Sequence, residues 1–283
     1  MVRRLLPVLV CLTAAACTGT AYEGSVDAEG PARTEALLLV ERGQSPELGA
    51  VQVGARFFSV SGFSDDALPE LVGTPRLPRE NVCEERALPG HVTGGEVRLL
   101  DVGVVDVRAG AQEARLAPRR FPDLWNVVSG VLYGTEGPFP AGAWRFSAPG
   151  SASSGFGGFE VSAVSPEPIR DVVVNERPMP LGNGAALTLP RSGALSLRWM
   201  RGTDPSDRVA VVFEGATTSI ECGARDEGAL DVDGAWSERI REIARGDAQV
   251  SVRRVRVKPF TVPGADRARL VFDIGTRAAL RVE

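Results

Sequence analysis

The chain has 283 residues, of which 43% are apolar and 24% charged, and its formal net charge at pH 7 is −4. This is the composition of a folded protein, long enough for one large domain or, as we expect, two of ordinary size, and the negative charge argues against a nucleic-acid partner. His91 is the only histidine and Lys258 the only lysine, which excludes histidine-rich zinc sites, P-loop nucleotide sites and Ser-x-x-Lys enzymes.

Residues 1–16 have the three regions of a secretory signal peptide. Met1–Arg4 ends in two basic residues, Leu5–Leu12 is an apolar run, and Thr13–Ala16 consists of small residues. The apolar run is too short to cross a bilayer, which takes about 20 residues. The sequence therefore predicts export and removal of this segment.

The end of that segment resembles a bacterial lipobox. In Leu12–Cys17 (Leu-Thr-Ala-Ala-Ala-Cys), small residues precede a cysteine, although Ala14 stands where leucine is usual. The resemblance implies that Cys17 is diacylated and becomes the new N-terminus, since two acyl chains hold a protein stably on a membrane. The alternative is ordinary signal-peptidase cleavage after the alanines, which leaves Cys17 as a free thiol.

Cysteine parity favours lipidation. Cys11 leaves with the signal peptide, so lipidation of Cys17 leaves an even pair, Cys83 and Cys222. Thr18 follows Cys17 at the position where, in Gram-negative lipoproteins, Asp favours retention in the inner membrane, so the resemblance implies the outer membrane. We therefore expect an exported protein of the cell envelope whose first partner is the lipid bilayer, reached through the acyl chains on Cys17.

The chain after the signal divides into a tether and a β-rich domain. Residues 17–34 are rich in small and acidic residues without apolar periodicity, which is typical of a flexible tether. From residue 35 to about residue 166, apolar and polar residues alternate as in strands. Pro166 and Pro168, which cannot donate to a sheet ladder, place the domain boundary near residue 166. The predicted strands are Ala50–Val60, Glu96–Val107, Trp125–Tyr133, Ala143–Ser147 and Gly158–Val164.

Residues 167–283 predict a second β domain with one helix. Leu195–Trp199, Val209–Phe213 and Thr218–Cys222 alternate as consecutive strands of an antiparallel sandwich. A short helix is predicted near residues 235–245, because Trp236, Ile240 and Ile243 recur at helical spacing after a capping Asp233-Gly234 pair.

Near the end of this domain the alternation changes phase at Arg253-Arg254. A β-bulge there would restore the facing of the strand, because it inserts one extra residue into the alternation. We expect the bulge to place four valines on one side, namely Val250, Val252, Val255 and Val257.

The late strand Ile220-Glu221-Cys222, followed by a glycine-containing turn and a short helix, is similar to one in lipoproteins of GC-rich bacteria. Those lipoproteins carry tandem β domains, and the likeness covers about the last 120 residues of the chain. The resemblance implies a mainly β fold of two tandem antiparallel β-sandwich-like domains of immunoglobulin type. It implies no particular activity.

Besides Cys17, two sets of side chains are candidate sites, a cysteine pair and a basic strand. Cys83 and Cys222 can form a disulfide, since exported thiols tend to be oxidised, or Cys222 can be a small core residue. The basic strand around Arg254 can attract anionic lipid or polysaccharide, or it can guard a sheet edge from pairing, which we favour. The members of that strand are Arg253, Arg254, Arg256 and Lys258.

The acidic residues give no metal or cofactor prediction. Asp226, Glu227, Asp231 and Asp233 cluster in sequence, but their spacing does not match an EF-hand, and Asp233 is better used as a helix cap. Asp65-Asp66 and other carboxylates could serve a glycosidase, although nothing selects a pair. His91, among glycines, is expected in a loop.

Three functions follow from these features. The first is a non-enzymatic binding or structural module of the envelope, whose partner is an envelope protein or polysaccharide. The second is an envelope hydrolase, which a deep cleft lined by paired acids with raised pKa values would favour. The third is an accessory factor for envelope protein assembly, which predicts an exposed apolar patch or an open sheet edge.

Overall fold

The computed structural model describes residues 32–43, 50–63, 68–87, 95–124, 127–180 and 186–283, and at Glu70 and residues 122–124 it describes the backbone alone. Within these ranges the protein is mainly β, as predicted. The predicted signal peptide, the predicted lipidation site Cys17, Asp65-Asp66 and His91 lie outside the described residues.

The first half of the chain contains ten strands and one short helix among the described residues. They are β1 (Arg33–Gly43), β2 (Val51–Ser61), α1 (Leu68–Val72), β3 (Cys83–Ala87), β4 (Glu96–Leu99), β5 (Val105–Ala109), β6 (Gln112–Leu116), β7 (Arg119–Leu124), β8 (Val128–Gly137), β9 (Ala143–Ala148) and β10 (Phe159–Val164). The rest of the described chain continues with β11 (Val173–Val174), β12 (Arg177–Pro178), β13 (Ala186–Leu189), β14 (Leu195–Arg198), β15 (Arg208–Glu214), β16 (Thr218–Arg225), β17 (Ala229–Val232), α2 (Gly234–Ile243), β18 (Ala248–Pro259) and β19 (Arg267–Val282).

One large sheet runs through the whole described molecule. Its 11 strands follow the order β3-β16-β15-β18-β19-β1-β2-β4-β8-β7, and β13 also pairs with β19. The long strand β19 makes this possible, because it pairs in parallel with β1 along its first part and with β13 along its last. On its other side β19 pairs with β18 along nearly its whole length.

Two four-stranded sheets pack on the same face of the large sheet, and we call each of them, together with the part of the large sheet beneath it, a sandwich. The small sheet of the first sandwich has the order β10-β9-β5-β6, and that of the second has the order β12-β11-β14-β17. Leu270 and Phe272 of β19 belong to the core under the first, whereas Ala278 and Leu280 belong to the core under the second. All four lie on one face of β19, since side chains at every second position share a face. We call this the inner face.

The predicted boundary near residue 166 coincides with a change of core and not with a change of sheet. The core under β10-β9-β5-β6 comes mostly from residues 36–163, and the buried residues of the other core all come from residues 169–280. The large sheet nevertheless joins β1 from the first half to β19 from the second. Two tandem immunoglobulin-like sandwiches are therefore not confirmed, because both cores are built on one shared sheet.

The structure contains the predicted helix and divides one predicted strand into two. The predicted helix is α2, and the side chain of Asp233 caps it by accepting a hydrogen bond from the Trp236 backbone N–H. The predicted strand Glu96–Val107 is two strands, β4 in the large sheet and β5 in a small one. Gly103 lies between them with φ at +82°, a conformation that glycine adopts easily, and the chain changes sheets there.

The bulge predicted at Arg253-Arg254 is wrong. β18 pairs with β19 without a register shift from Ala248 to Pro259. Val255 therefore faces away from Val250 and Val252 and belongs to a third core on the outer face. The apolar pattern changes phase because the first half of β18 buries its inner face, at Val250 and Val252, whereas its second half buries its outer face, at Val255.

Candidate functional site

A cleft of about 250 Å³ lies on the outer face of the large sheet. Its floor comes from β18 and β19, and one wall is the chain from α1 to Pro78. We call it the arginine cleft because, among the side chains that the structure describes, four arginines and one glutamate line it. Its lining residues are Leu68, Pro69, Val72, Thr74, Pro75, Arg76, Leu77, Pro78, Arg86, Glu221, Val257, Arg267, Arg269 and Val271.

The wall of the cleft begins where α1 ends. Gly73 has φ at +59°, and the Thr74 N–H donates a 2.7 Å hydrogen bond to the Pro69 carbonyl, which together form a Schellman C-cap. Pro75 and Pro78 then restrict the residues that precede them to extended conformations. The wall therefore leaves the helix as an extended strap across the outer face.

The far end of the wall is held against β15 and β16. The Pro78 carbonyl accepts a hydrogen bond of 2.7 Å from Arg208, and the Asn81 N–H donates one of 2.8 Å to the Gly223 carbonyl. A Cβ at Gly223 would collide with the carbonyl oxygens of Pro78 and Arg79, so this close approach requires glycine.

A disulfide lies just after this contact in the chain. Cys83 on β3 lies opposite Cys222 on β16 in antiparallel register, with an S–S distance of 2.02 Å and Cα atoms 4.0 Å apart. Cys222 is also buried in the core of the second sandwich. Both roles considered for this cysteine therefore coexist in the structure, and the bond ties the edge strand β3 to the sheet.

Ion pairs with glutamates hold the arginines of the cleft in position. Glu35 is 2% exposed and lies within ion-pair distance of three guanidinium groups, at 3.1 Å from Arg269, 3.4 Å from Arg33 and 3.9 Å from Arg267. On the opposite side, Arg86 is 3.5 Å from Glu221 and donates a hydrogen bond of 2.9 Å to Glu84. These carboxylates hold the arginines in place at the cleft.

Two donors of residues at the cleft make no hydrogen bond within the described part of the chain. They are the buried Thr74 hydroxyl and the buried Nε atom of Arg269, whereas the Nε atom of Arg86 lies 3.5 Å from Glu221. Buried polar groups in folded proteins are nearly always paired, with protein, water or an ion. This cleft is therefore suited to a ligand that brings acceptor oxygens.

The predicted basic strand is β18, and the prediction that it guards a sheet edge is wrong. It lies between β15 and β19 in the middle of the sheet, so it guards no edge. Two of its charges have partners within the protein: Arg253 donates to Asp273 at 2.7 Å, and Arg254 lies 2.7 Å from Asp226.

The inner-face members of β18 also join the two sandwiches. Lys258 donates to the Ser162 carbonyl at 2.6 Å, Arg256 to that of Val164 at 3.0 Å, and Arg254 to that of Glu167 at 2.8 Å. Alternate positions on β18 thus hold two carbonyls of β10 and one carbonyl of the segment that connects the sandwiches. We call these three side chains, Arg254, Arg256 and Lys258, the basic row.

The predicted acidic cluster is dispersed by the fold. Asp226 pairs with buried Arg254 and accepts a hydrogen bond of 2.7 Å from the Trp199 indole, Asp231 pairs with exposed Arg198, and Asp233 caps α2. The described residues contain no group of three or more acidic, histidine or cysteine side chains placed to hold a metal ion.

A pair of carboxylates lies elsewhere on the outer face. Glu41 and Asp273 are in register on β1 and β19. Burial, followed by the charge of Asp273, raises the pKa of Glu41, against the opposing effects of Arg56 and Arg253, and burial raises the pKa of Asp273. Asp273 is 6% exposed and already accepts a hydrogen bond from Arg253, so a substrate does not reach it.

Sequence reasoning missed the arginine cleft completely. Its lining comes from α1, the following strap, β3, β16, β18 and β19, which are far apart in the chain. One local signal was available, because Arg267 and Arg269 alternate on a strand with apolar Ala268 and Leu270. That pattern indicates two guanidinium groups on one face, although it does not reveal what faces them.

No protein-family model matches the chain, and a search of curated proteins gave no match. Within the described ranges, no helix has the length and apolar character needed to span a membrane.

Proposed function

We propose that this chain is a lipoprotein of the bacterial cell envelope, anchored through acyl chains on Cys17, whose body binds a ligand in the arginine cleft and does not transform it. In this proposal the two sandwich cores correspond to two immunoglobulin-like units that have come to share one sheet. The cell envelope supplies the partner, which can be a protein, a polysaccharide or a smaller molecule.

The observation that carries the binding function is the arginine cleft. It combines an apolar floor, in which Val257 is 37% exposed, with a rim of arginines that carboxylates hold in position. Ligand sites are typically concave and mostly apolar, with a few convergent polar groups. The wall is fixed at both ends, so the cleft is formed before a ligand arrives.

The proposal is tested by photocrosslinking in cells that express the full chain. A benzophenone amino acid at position 257 places the crosslinker in the cleft, and the same residue at Val164, which is 57% exposed and outside the cleft, is the matched control. We expect an adduct at position 257 only, on protein in the membrane fraction. In a Cys17→Ala background the same adduct should shift to the soluble fraction.

Mass spectrometry of the purified protein separates the two parts of the proposal. An adduct at both positions or at neither would contradict a ligand site in the cleft. A wild-type protein that carries no lipid and begins at a residue other than Cys17 would contradict the anchor and indicate a periplasmic or secreted protein.

A further inference from the structure

We propose that the arginine cleft recognises an oxyanion, a phosphate or carboxylate group, carried by a molecule with a short aliphatic part. This inference rests on the proposed function and specifies the ligand class of the same site. It follows from three features of the cleft, which are its unpaired donors, the spacing of its arginines and the size and character of its floor.

The first feature is the set of buried donors. Thr74 Oγ1 and Arg269 Nε belong to residues that line the cleft, and they make no hydrogen bond within the described residues. Phosphate and carboxylate oxygens only accept hydrogen bonds, and they form their strongest ones with guanidinium groups. A neutral ligand whose polar groups are mainly donors would leave these atoms unpaired.

The second feature is the geometry of the arginine pair on β19. Arg267 and Arg269 leave the same face of the strand about 7 Å apart, because each residue of a strand advances the chain by about 3.3 Å. One oxyanion can contact both guanidinium groups at this spacing. Glu35 lies behind them with 2% exposure, so it positions the arginines and is itself closed to a ligand.

The third feature is the apolar floor. Val257 and Val271 form it, and Leu68 and Leu77 stand at its wall. The volume of about 250 Å³ is below the range of roughly 300–1,000 Å³ for sites that enclose whole drug-sized ligands. The cleft therefore has room for a charged head and a few methylene groups, and an inorganic ion alone would leave the floor uncovered.

The experiment measures binding to the mature chain carrying Cys17→Ala, so that no acyl chain competes. Isothermal titration calorimetry compares butyl phosphate with inorganic phosphate and butanol. We expect butyl phosphate to bind most tightly, with an affinity that falls as salt is raised. Arg269→Gln and Arg267→Gln should each weaken it by about tenfold or more, since each removes a charged hydrogen-bond donor.

Arg277→Gln is the matched control, because Arg277 is exposed on the same strand and the same face but does not line the cleft. It should bind butyl phosphate like the parent chain. Arg267 is 51% exposed, so its variant is expected to fold even if loss of Arg269 disturbs Glu35. Circular dichroism of each variant checks that the sheet is intact.

Two sources of this chemistry are separated by a sedimentation arm with phosphatidylcholine vesicles, with and without phosphatidylglycerol. Binding to the phosphatidylglycerol vesicles that requires Arg267 and Arg269 identifies a lipid headgroup, and binding of butyl phosphate without vesicle binding identifies a free small molecule. Either result supports the oxyanion assignment.

The inference is overturned if butyl phosphate does not bind, or if it binds equally well to both cleft variants. A photocrosslinked ligand at position 257 that has no phosphate or carboxylate would also overturn it while leaving the proposed function standing. Absence of any adduct at position 257 would instead remove the proposed function.

Discussion

Glu41 and Asp273 show how burial changes the behaviour of single residues on this sheet. They occupy neighbouring positions on β1 and β19, and burial raises the pKa of each. Arg253 and Arg56 compensate only in part, and burial lowers the pKa of Arg56. An acid with a raised pKa in the folded state favours folding at low pH and loses that contribution as pH rises through the raised pKa.

We therefore predict that Glu41→Gln stabilises the protein at pH 7 by up to about 1 kcal/mol, because the amide removes a charge that burial and Asp273 disfavour. The advantage should vanish below the ordinary pKa of glutamate, where the wild-type side chain is protonated in both states. Urea unfolding of both proteins between pH 4 and pH 8 measures this difference.

Glu136→Gln, at an exposed position on β8, is the control for this prediction. It should follow the wild-type curve at every pH. A Glu41→Gln protein that is less stable than wild type at pH 7 would show that Arg56 and Arg253 outweigh burial at this position.

At the scale of elements, the strap from Thr74 to Val82 decides whether the arginine cleft exists. It has no strand partner along its first part, and it is held by the end of α1, by Arg208 and by Gly223. The disulfide then fixes β3, which carries Arg86 into the cleft. A change at the contact between the strap and β16 should therefore alter both stability and ligand binding.

We predict that Gly223→Ala lowers the free energy of unfolding by about 2 kcal/mol, because the added methyl group forces the carbonyls of Pro78 and Arg79 away from β16. Urea unfolding at neutral pH measures the loss. Gly246→Ala is the control, since the nearest atom to its Cβ would be 3.9 Å away, and it should change stability by less than about 0.5 kcal/mol. Equal losses in the two variants would contradict the close approach at Gly223.

At the scale of the whole molecule, the shared sheet and the basic row couple the two sandwiches. β19 contributes to both cores, and Arg254 holds the connecting segment while it pairs with Asp226. Buried pairs of this kind are costly to break, since removing one partner leaves an uncompensated charge in the interior. Neither sandwich is expected to unfold while the other stays intact.

We predict a single calorimetric transition for residues 17–283 carrying Cys17→Ala. The calorimetric and van't Hoff enthalpies should agree, as they do for a two-state protein. Two resolved transitions would show that the sandwiches unfold independently and that residue 166 separates two folding units despite the shared sheet.

The fold was partly predictable from the sequence, and the cleft was not. Alternation in runs such as Ala143–Ser147 identified strands, and the spacing of Trp236, Ile240 and Ile243 identified α2, because these patterns depend on neighbours in the chain. Arg254 was misread as a surface charge, since its partner Asp226 lies 28 residues away and periodicity does not report such a pairing.

By itself the sequence determined the strand-rich class, the capped helix and the exclusion of histidine-rich zinc sites and P-loop sites, all of which depend on local pattern or residue type. Only the tertiary structure decided that β1 pairs in parallel with β19, that Cys83 meets Cys222 across 139 residues, and that the strap covers a row of arginines. The physical reason is that strand order and burial depend on which distant surfaces meet, and a period-two pattern is the same for every possible partner.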